Sequence, residues 1–156
     1  MQPTSTNDED NQKAGAMPNF EDHVDDTIFS QILEMDLDEE DREFSKPLVA
    51  NFFEQARETF AKMETALDKS NLDELSKLGH FLKGSSATLG FNKIRDNCQV
   101  IQQYGHKLTV DGAEEPDEKV CLKKIADALE EAKVDTETLN KKMKAFFGSG
   151  LDEAKE

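Results

Sequence analysis

Tryptophan is absent from the 156 residues and tyrosine occurs once, so ten phenylalanines carry nearly all of the aromatic bulk. Cysteine is limited to Cys98 and Cys121. These form no CxxC or Cys/His metal pattern, and both fall on apolar helical faces, the setting of buried reduced thiols rather than of a disulfide. Basic residues are scarce: 19 Lys and Arg stand against 34 Asp and Glu, for a formal charge of -15. With no cation cluster to displace counterions from phosphates, nucleic acid is a poor partner. No apolar stretch approaches the roughly 18 to 20 residues of a membrane span, and the N-terminus lacks the basic and apolar regions of a secretory signal. GxxxxGKS/T, GxSxG and HxxxH are also missing, which leaves no nucleotide cradle, acyl-transfer elbow or paired-histidine metal site. The expectation is one intracellular domain, large enough to bury roughly two thirds of its unfolded surface without staples.

Residues 1–22 mix Pro, Ser, Thr, Asn and Asp with almost no large side chains, a composition that predicts a mobile acidic tail. The domain is expected over 23–148, followed by a short tail at 149–156. Within it, apolar positions recur at intervals of three and four residues and nothing alternates with period two, so the fold class is all-α. The spacing predicts helices over 24–35, 44–69, 72–90 and 92–108, and a last one from Asp117 to just before Gly148. Pro47 is tolerated in the first turn of the second helix. Ser70 with Asp73 reads as the capping pair of the third, and Gly90 as its stop. Between Glu34 and Glu43 lie seven acids and one Arg, which reads as a solvated rim. Asp111, Gly112 and Pro116 predict a loop over 109–116. The last helix spaces Leu122, Ile125, Leu129, Ala132, Thr136, Leu139, Met143 and Phe146 as a left-handed bundle seam, weakest at Val134–Thr136.

The third helix carries the chemistry. Its leucines at 72, 75, 78, 82 and 89 occupy a sector of roughly 120°, and His80 lies about 150° from the centre of that sector. The imidazole therefore faces outward. Lys83, Gly84 and Ala87 follow at i+3, i+4 and i+7 on or beside the same face. A mid-helix Gly costs about 1 kcal/mol relative to Ala, so Gly84 implies a steric need: room for a bulky group beside His80. Lys83 supplies a cation within reach of an anion on the ring, and Ser85 and Ser86 offer hydroxyls. Together these residues predict a site for a transient phosphoryl group on His80. His23 and His106 lie on other segments and complete no ligand set. Since the chain has no nucleotide cradle, phosphate must arrive from another protein and leave to another, with the imidazole as nucleophile and then leaving group.

On HFLKGSSATLG, residues 80–90, the sequence resembles the histidine-containing phosphotransfer (HPt) domains, and among them the fungal Ypd1-like phosphorelay proteins. The likeness extends through ILEMD at 32–36, FSKPLV at 44–49 and IQQYG at 101–105. It implies an antiparallel four-helix bundle with an additional N-terminal helix. It also implies that His80 is phosphorylated at Nε2, that Lys83 neutralises the phosphate, that Gly84 is the clearance position, and that Gln102 orients the histidine or its phosphate. The implied function is a phosphorelay intermediate that takes phosphate from a receiver aspartate of a hybrid sensor kinase and passes it to the receiver of a response regulator. The chain itself then needs no cofactor, since Mg²⁺ belongs to the partner receiver, and it has no ATP-dependent kinase activity of its own. A monomer shared between cytoplasm and nucleus is expected, with no nucleic acid or membrane partner.

Docking calls for an apolar patch beside the histidine. The five apolar residues of the first helix span roughly 160°, more than one bundle face requires. Ile28, Ile32 and Met35 lie on one edge of that arc, and Phe44 and Leu48 at the rim of the second helix's stripe. With Ser85 and the surrounding acids Asp36, Asp38 and Glu39, these are the candidate partner contacts. The competing reading is a non-catalytic helical adaptor that binds receiver domains, in which His80 is incidental.

Overall fold

The computed structural model describes residues 20–38 and 41–148. Residues 1–19 of the expected 1–22 tail, the expected tail over 149–156, and Glu39 lie outside these residues. A short 3-10 turn, Glu21–His23, leads into five helices: α1 (Asp26–Glu34), α2 (Ser45–Asp68), α3 (Leu72–Leu89), α4 (Asn92–Gly105) and α5 (Glu118–Phe147). Helices α2 to α5 form the bundle, each packing on the next in chain order and α5 closing back on α2, while α1 lies against α3. The all-α bundle with an added N-terminal helix is therefore the observed architecture.

Most buried positions follow the predicted stripes, while Leu67, Leu78, Leu122 and Phe146 are only partly buried and Phe147 takes the core position at the end of α5. Val49, Phe52, Phe53, Ala56, Phe60 and Met63 of α2 meet Leu75, Leu82 and Leu89 of α3 and Ile125, Leu129, Leu139 and Met143 of α5. α5 runs without a break through Val134–Thr136. Cys98 and Cys121 are free and buried, and burial pushes the Cys98 thiol up to about 12.

Helix ends depart from the sequence reading for specific reasons. Ser70 does not cap α3. It takes φ 53° while its N–H bonds to Leu67 O and that of Asn71 to Ala66 O, the pair of bonds that closes a helix through a left-handed residue. Asn71 is then the cap of α3, its side chain accepting from Glu74 N at 3.1 Å. α4 stops at Gly105 rather than at Leu108, because Lys107 turns to φ 63° and Leu108 enters a bridge with Glu114. The last three residues of the expected 1–22 tail are structured, since Phe20 is buried and stacks edge-on against Phe29 and Phe146.

This N-terminal segment is fastened to α3. Asp25 N donates to Gly90 O at 2.7 Å, and Val24 bridges Phe91. Gly90 has φ 80°, and a Cβ there would stand 3.1 Å from Ile28 Cβ, so glycine serves both the helix stop and the seating of α1.

The connector between α1 and α2 is not a plain solvated rim. Asp36 has its side chain fully shielded, and its carboxylate accepts from Phe44 N and Ser45 N at 2.8 Å each, from the Ser45 hydroxyl at 2.5 Å and from Arg42 at 3.3 Å. It caps α2 from a distance, where orphan N–H groups and the positive end of the helix favour a carboxylate. Burial works to raise its pKa, but the bonds from Ser45, Phe44 and Arg42 prevail and hold it below the usual carboxylate range. Arg42 is buried, with φ 52°, and its guanidinium lies 5.2 Å from the centre of the Phe146 ring.

Candidate functional site

Backbone proximity sets the site. A Cβ on Gly79 would lie 2.9 Å from Gln102 N and 3.0 Å from Cys98 O, and one on Gly105 would lie 2.7 Å from Ser76 N. Two glycines thus let α3 and α4 touch backbone to backbone over the turn of α3 that leads into His80, closer than any residue with a Cβ allows. The sequence reading missed both. Their available signal was the pair of mid-helix or helix-end glycines flanking the His80 and Gln102 positions.

Because of this approach, His80 and Gln102 share one open hollow of about 360 Å³, lined also by Ser76, Lys77 and His106. His80 is exposed, as the leucine sector predicts. Gln102 Oε1 is buried and accepts no hydrogen bond. An unpaired acceptor on a residue that shares the histidine's hollow could take the ring's N–H, which would leave the other ring nitrogen free as a nucleophile.

A second hollow of about 330 Å³ adjoins along α3, lined by Lys83, Gly84, Ala87, Arg95, Asp96 and Gln99. Lys83 Nζ rests on Gln99 Oε1 at 2.9 Å. A Cβ on Gly84 would meet nothing within 4 Å, so the face one turn from His80 is clear. Lys83 and Gly84 therefore stand beside the histidine along the helix, whereas Gln102 stands across from it. Ser86 is not available to an anion: it is buried, and its hydroxyl donates to Leu82 O and Lys83 O.

The candidate docking residues divide into groups. Met35 and Phe44 are exposed, and so are Leu37 and Phe81, which the sequence reading did not single out. Ile28, Ile32, Leu48 and Ser85 are half-buried, with Ile32 and Leu48 packed against the core. Asp36 leaves the set of rim acids, because its carboxylate is turned inward to α2. Phe81 and Ser85 turn roughly 100° and 140° away from His80 around α3, on the side opposite α4.

Among the described residues no group of three or more His, Cys, Asp and Glu is placed to hold a metal, and no helix is long and apolar enough to cross a membrane.

The chain is similar to known phosphorelay proteins. The chain is 48% identical over 107 residues, 68% of its length, to multistep phosphorelay regulator 1 of Schizosaccharomyces pombe, and 51% identical over 88 residues, 56% of its length, to the phosphorelay intermediate protein YPD1 of Candida albicans. It spans 36% and 47% of those two proteins' own lengths. Among solved structures it is similar to the Saccharomyces cerevisiae histidine phosphotransfer signaling protein Ypd1, crystallised with the receiver domain of its downstream response regulator Ssk1. The TM-score is 0.70 at 32% identity, covering 80% of this chain and 94% of that one. Since the Hpt domain model matches residues 47–135, more than half of the sequence and the whole of α3 and α4, the chain belongs to the Hpt domain family.

Proposed function

We propose that the protein is a phosphorelay intermediate in which His80 accepts a phosphoryl group from the aspartyl phosphate of a hybrid sensor kinase's receiver domain and delivers it to the receiver aspartate of a response regulator. The observation that carries this reading is the exposed imidazole of His80 in an open hollow, opposite the unsatisfied Gln102 Oε1 and one turn from the clear face at Gly84. The names of the relatives and the receiver complex of the yeast neighbour support it.

In the forward step Nε2 attacks phosphorus, the P–O bond to the aspartate breaks, and the carboxylate departs with the electron pair. The ring now bears Nδ1–H and a positive charge, which strengthens its bond to Gln102 Oε1. In the onward step a carboxylate oxygen of the receiver aspartate attacks phosphorus and forms the new P–O bond, the P–N bond breaks, the electron pair returns to Nε2, and neutral imidazole is the leaving group. Lys83 swings from Gln99 to offset the phosphoryl charge. Gly84 gives the incoming receiver backbone room, and the receiver supplies its own Mg²⁺. A receiver docks over Phe81, Ser85, Ile28, Ile32, Met35, Phe44 and Leu48, an apolar surface flanking the histidine helix. The acidic rim tunes association rate more than affinity. The protein acts as a monomer in cytoplasm and nucleus, without nucleic acid or membrane partners.

The test is transfer of radiolabel from a phosphorylated receiver domain to the wild type and to His80→Gln. Label on the wild type alone is expected. Equal label on both removes His80 as the carrier, and label on neither while the receiver still binds leaves the adaptor reading, for which the exposed apolar residues suffice.

A further inference from the structure

His106 shares the hollow with His80, Gln102, Ser76 and Lys77, yet the transfer chemistry above gives it no part. Its position is fixed by the fold. The preceding Gly105 is in backbone contact with Ser76, one turn before His80 on α3, and His106 N donates to Gln102 O and Gln103 O at 3.2 and 2.9 Å. The second imidazole is thus carried at the C-cap of α4, one turn beyond Gln102, on a segment pinned to the helix of the first. The carbonyl end of a helix favours a cation, and imidazole is the side chain that changes charge between about pH 5 and 8.

Other charged groups near this hollow are already engaged. Lys77, on α3, pairs with Asp73 at 3.3 Å, and Lys83, in the neighbouring hollow, rests on Gln99. Beyond His106, Lys107 pairs with Glu118 of α5 at 3.6 Å. His106 is left as the titratable donor that shares the hollow with His80 from the end of α4.

We propose that the imidazolium of His106 hydrogen-bonds the phosphoryl group on His80, so that the lifetime of the phosphohistidine rises and falls with the protonation of a neighbouring histidine. This rests on the phosphorelay reading above. The contact forms when the ring is protonated and weakens as pH rises, because neutral imidazole carries one N–H and no charge to set against the phosphate.

The experiment charges wild type, His106→Gln, His106→Lys and Lys77→Ala with a phosphorylated receiver domain, removes the receiver, and follows phosphohistidine decay by ³¹P NMR between pH 6 and 8. The quantity read is the lifetime of each variant divided by that of the wild type, which cancels the intrinsic acid lability of the P–N bond. For His106→Gln the lifetime should drop about two- to fivefold at pH 6 and approach the wild-type value at pH 8. His106→Lys should keep the long lifetime at both ends of the range. In the wild type, the His106 ring resonance should titrate at higher pH once His80 carries phosphate. A lifetime ratio for His106→Gln that does not change with pH, a titration midpoint indifferent to phosphorylation, or a loss seen only in Lys77→Ala overturns the assignment while leaving the phosphorelay reading intact. Failure of the wild type to accept label from a receiver it binds removes both.

Discussion

Gly79 and Gln102 meet at backbone distance: a Cβ on the first would stand 2.9 Å from the amide nitrogen of the second. The neighbour is helix backbone and cannot swing aside. Gly79→Ala is therefore expected to destabilise the fold by about 1–3 kcal/mol through overpacking. Gly84→Ala, in open space, should stabilise by up to about 1 kcal/mol through helix propensity. Denaturant unfolding of the two variants measures both signs. Gly84→Gln should fold normally and block phosphotransfer, and normal transfer by that variant would remove the steric role of the clear face.

Lys83→Ala separates charge from structure. Its hydrogen bond to Gln99 is partly exposed, so stability should change by less than about 0.5 kcal/mol. Transfer should slow and the phosphohistidine should decay faster. An unchanged lifetime in a folded Lys83→Ala protein would show that the ammonium stays on Gln99.

Asp36→Ala should cost about 3–5 kcal/mol, because it strands the buried Arg42 guanidinium and uncaps α2. Acid should reproduce part of this loss. The folded-state pKa of Asp36 lies below the unfolded value near 3.9, so its stabilisation is complete above about pH 4 and is lost as pH falls through the folded value. Thermal melts from pH 2 to 6 check this, and a variant whose melting temperature falls with acid as steeply as the wild type's would contradict it.

These residues also show what a sequence can reveal. The exposure of His80 was legible because five leucines on one helix define the buried side without reference to any other helix. The course of α2 and α5 was legible for the same reason. Gly79 and Gly105 were not, since a close approach depends on which helices meet and at what rotation. Asp36 was hidden by its surroundings: an acidic run averages to a solvated rim, while one carboxylate in it folds inward to a helix that begins nine residues later. Ser70 misled because a serine before a helix usually caps it, whereas here it closes the preceding one. Phe20 was masked by the polar composition around it.

His23 offers a second pH test. The ring is 5% exposed with Nδ1 unpaired, and burial lowers its pKa, aided by Lys93 and Lys142 and opposed by Asp135 and Asp22. The unfolded chain thus binds a proton more readily. Its contribution to stability is present above about pH 6.5 and is lost as pH falls through the lower folded value. Melting temperature should decline between pH 7 and 5, and His23→Gln should flatten that decline. Equal slopes in the two proteins would place the sensitivity elsewhere.

The hydrogen bond from Asp25 to Gly90 gives the leading segment a mechanical role. Trimming the chain through Asp25 removes the footing of the helix that presents His80, far along the sequence from the reacting ring. A shortened version that starts after Asp25 would keep every residue of the transfer chemistry, yet it would present that chemistry on an unbraced support.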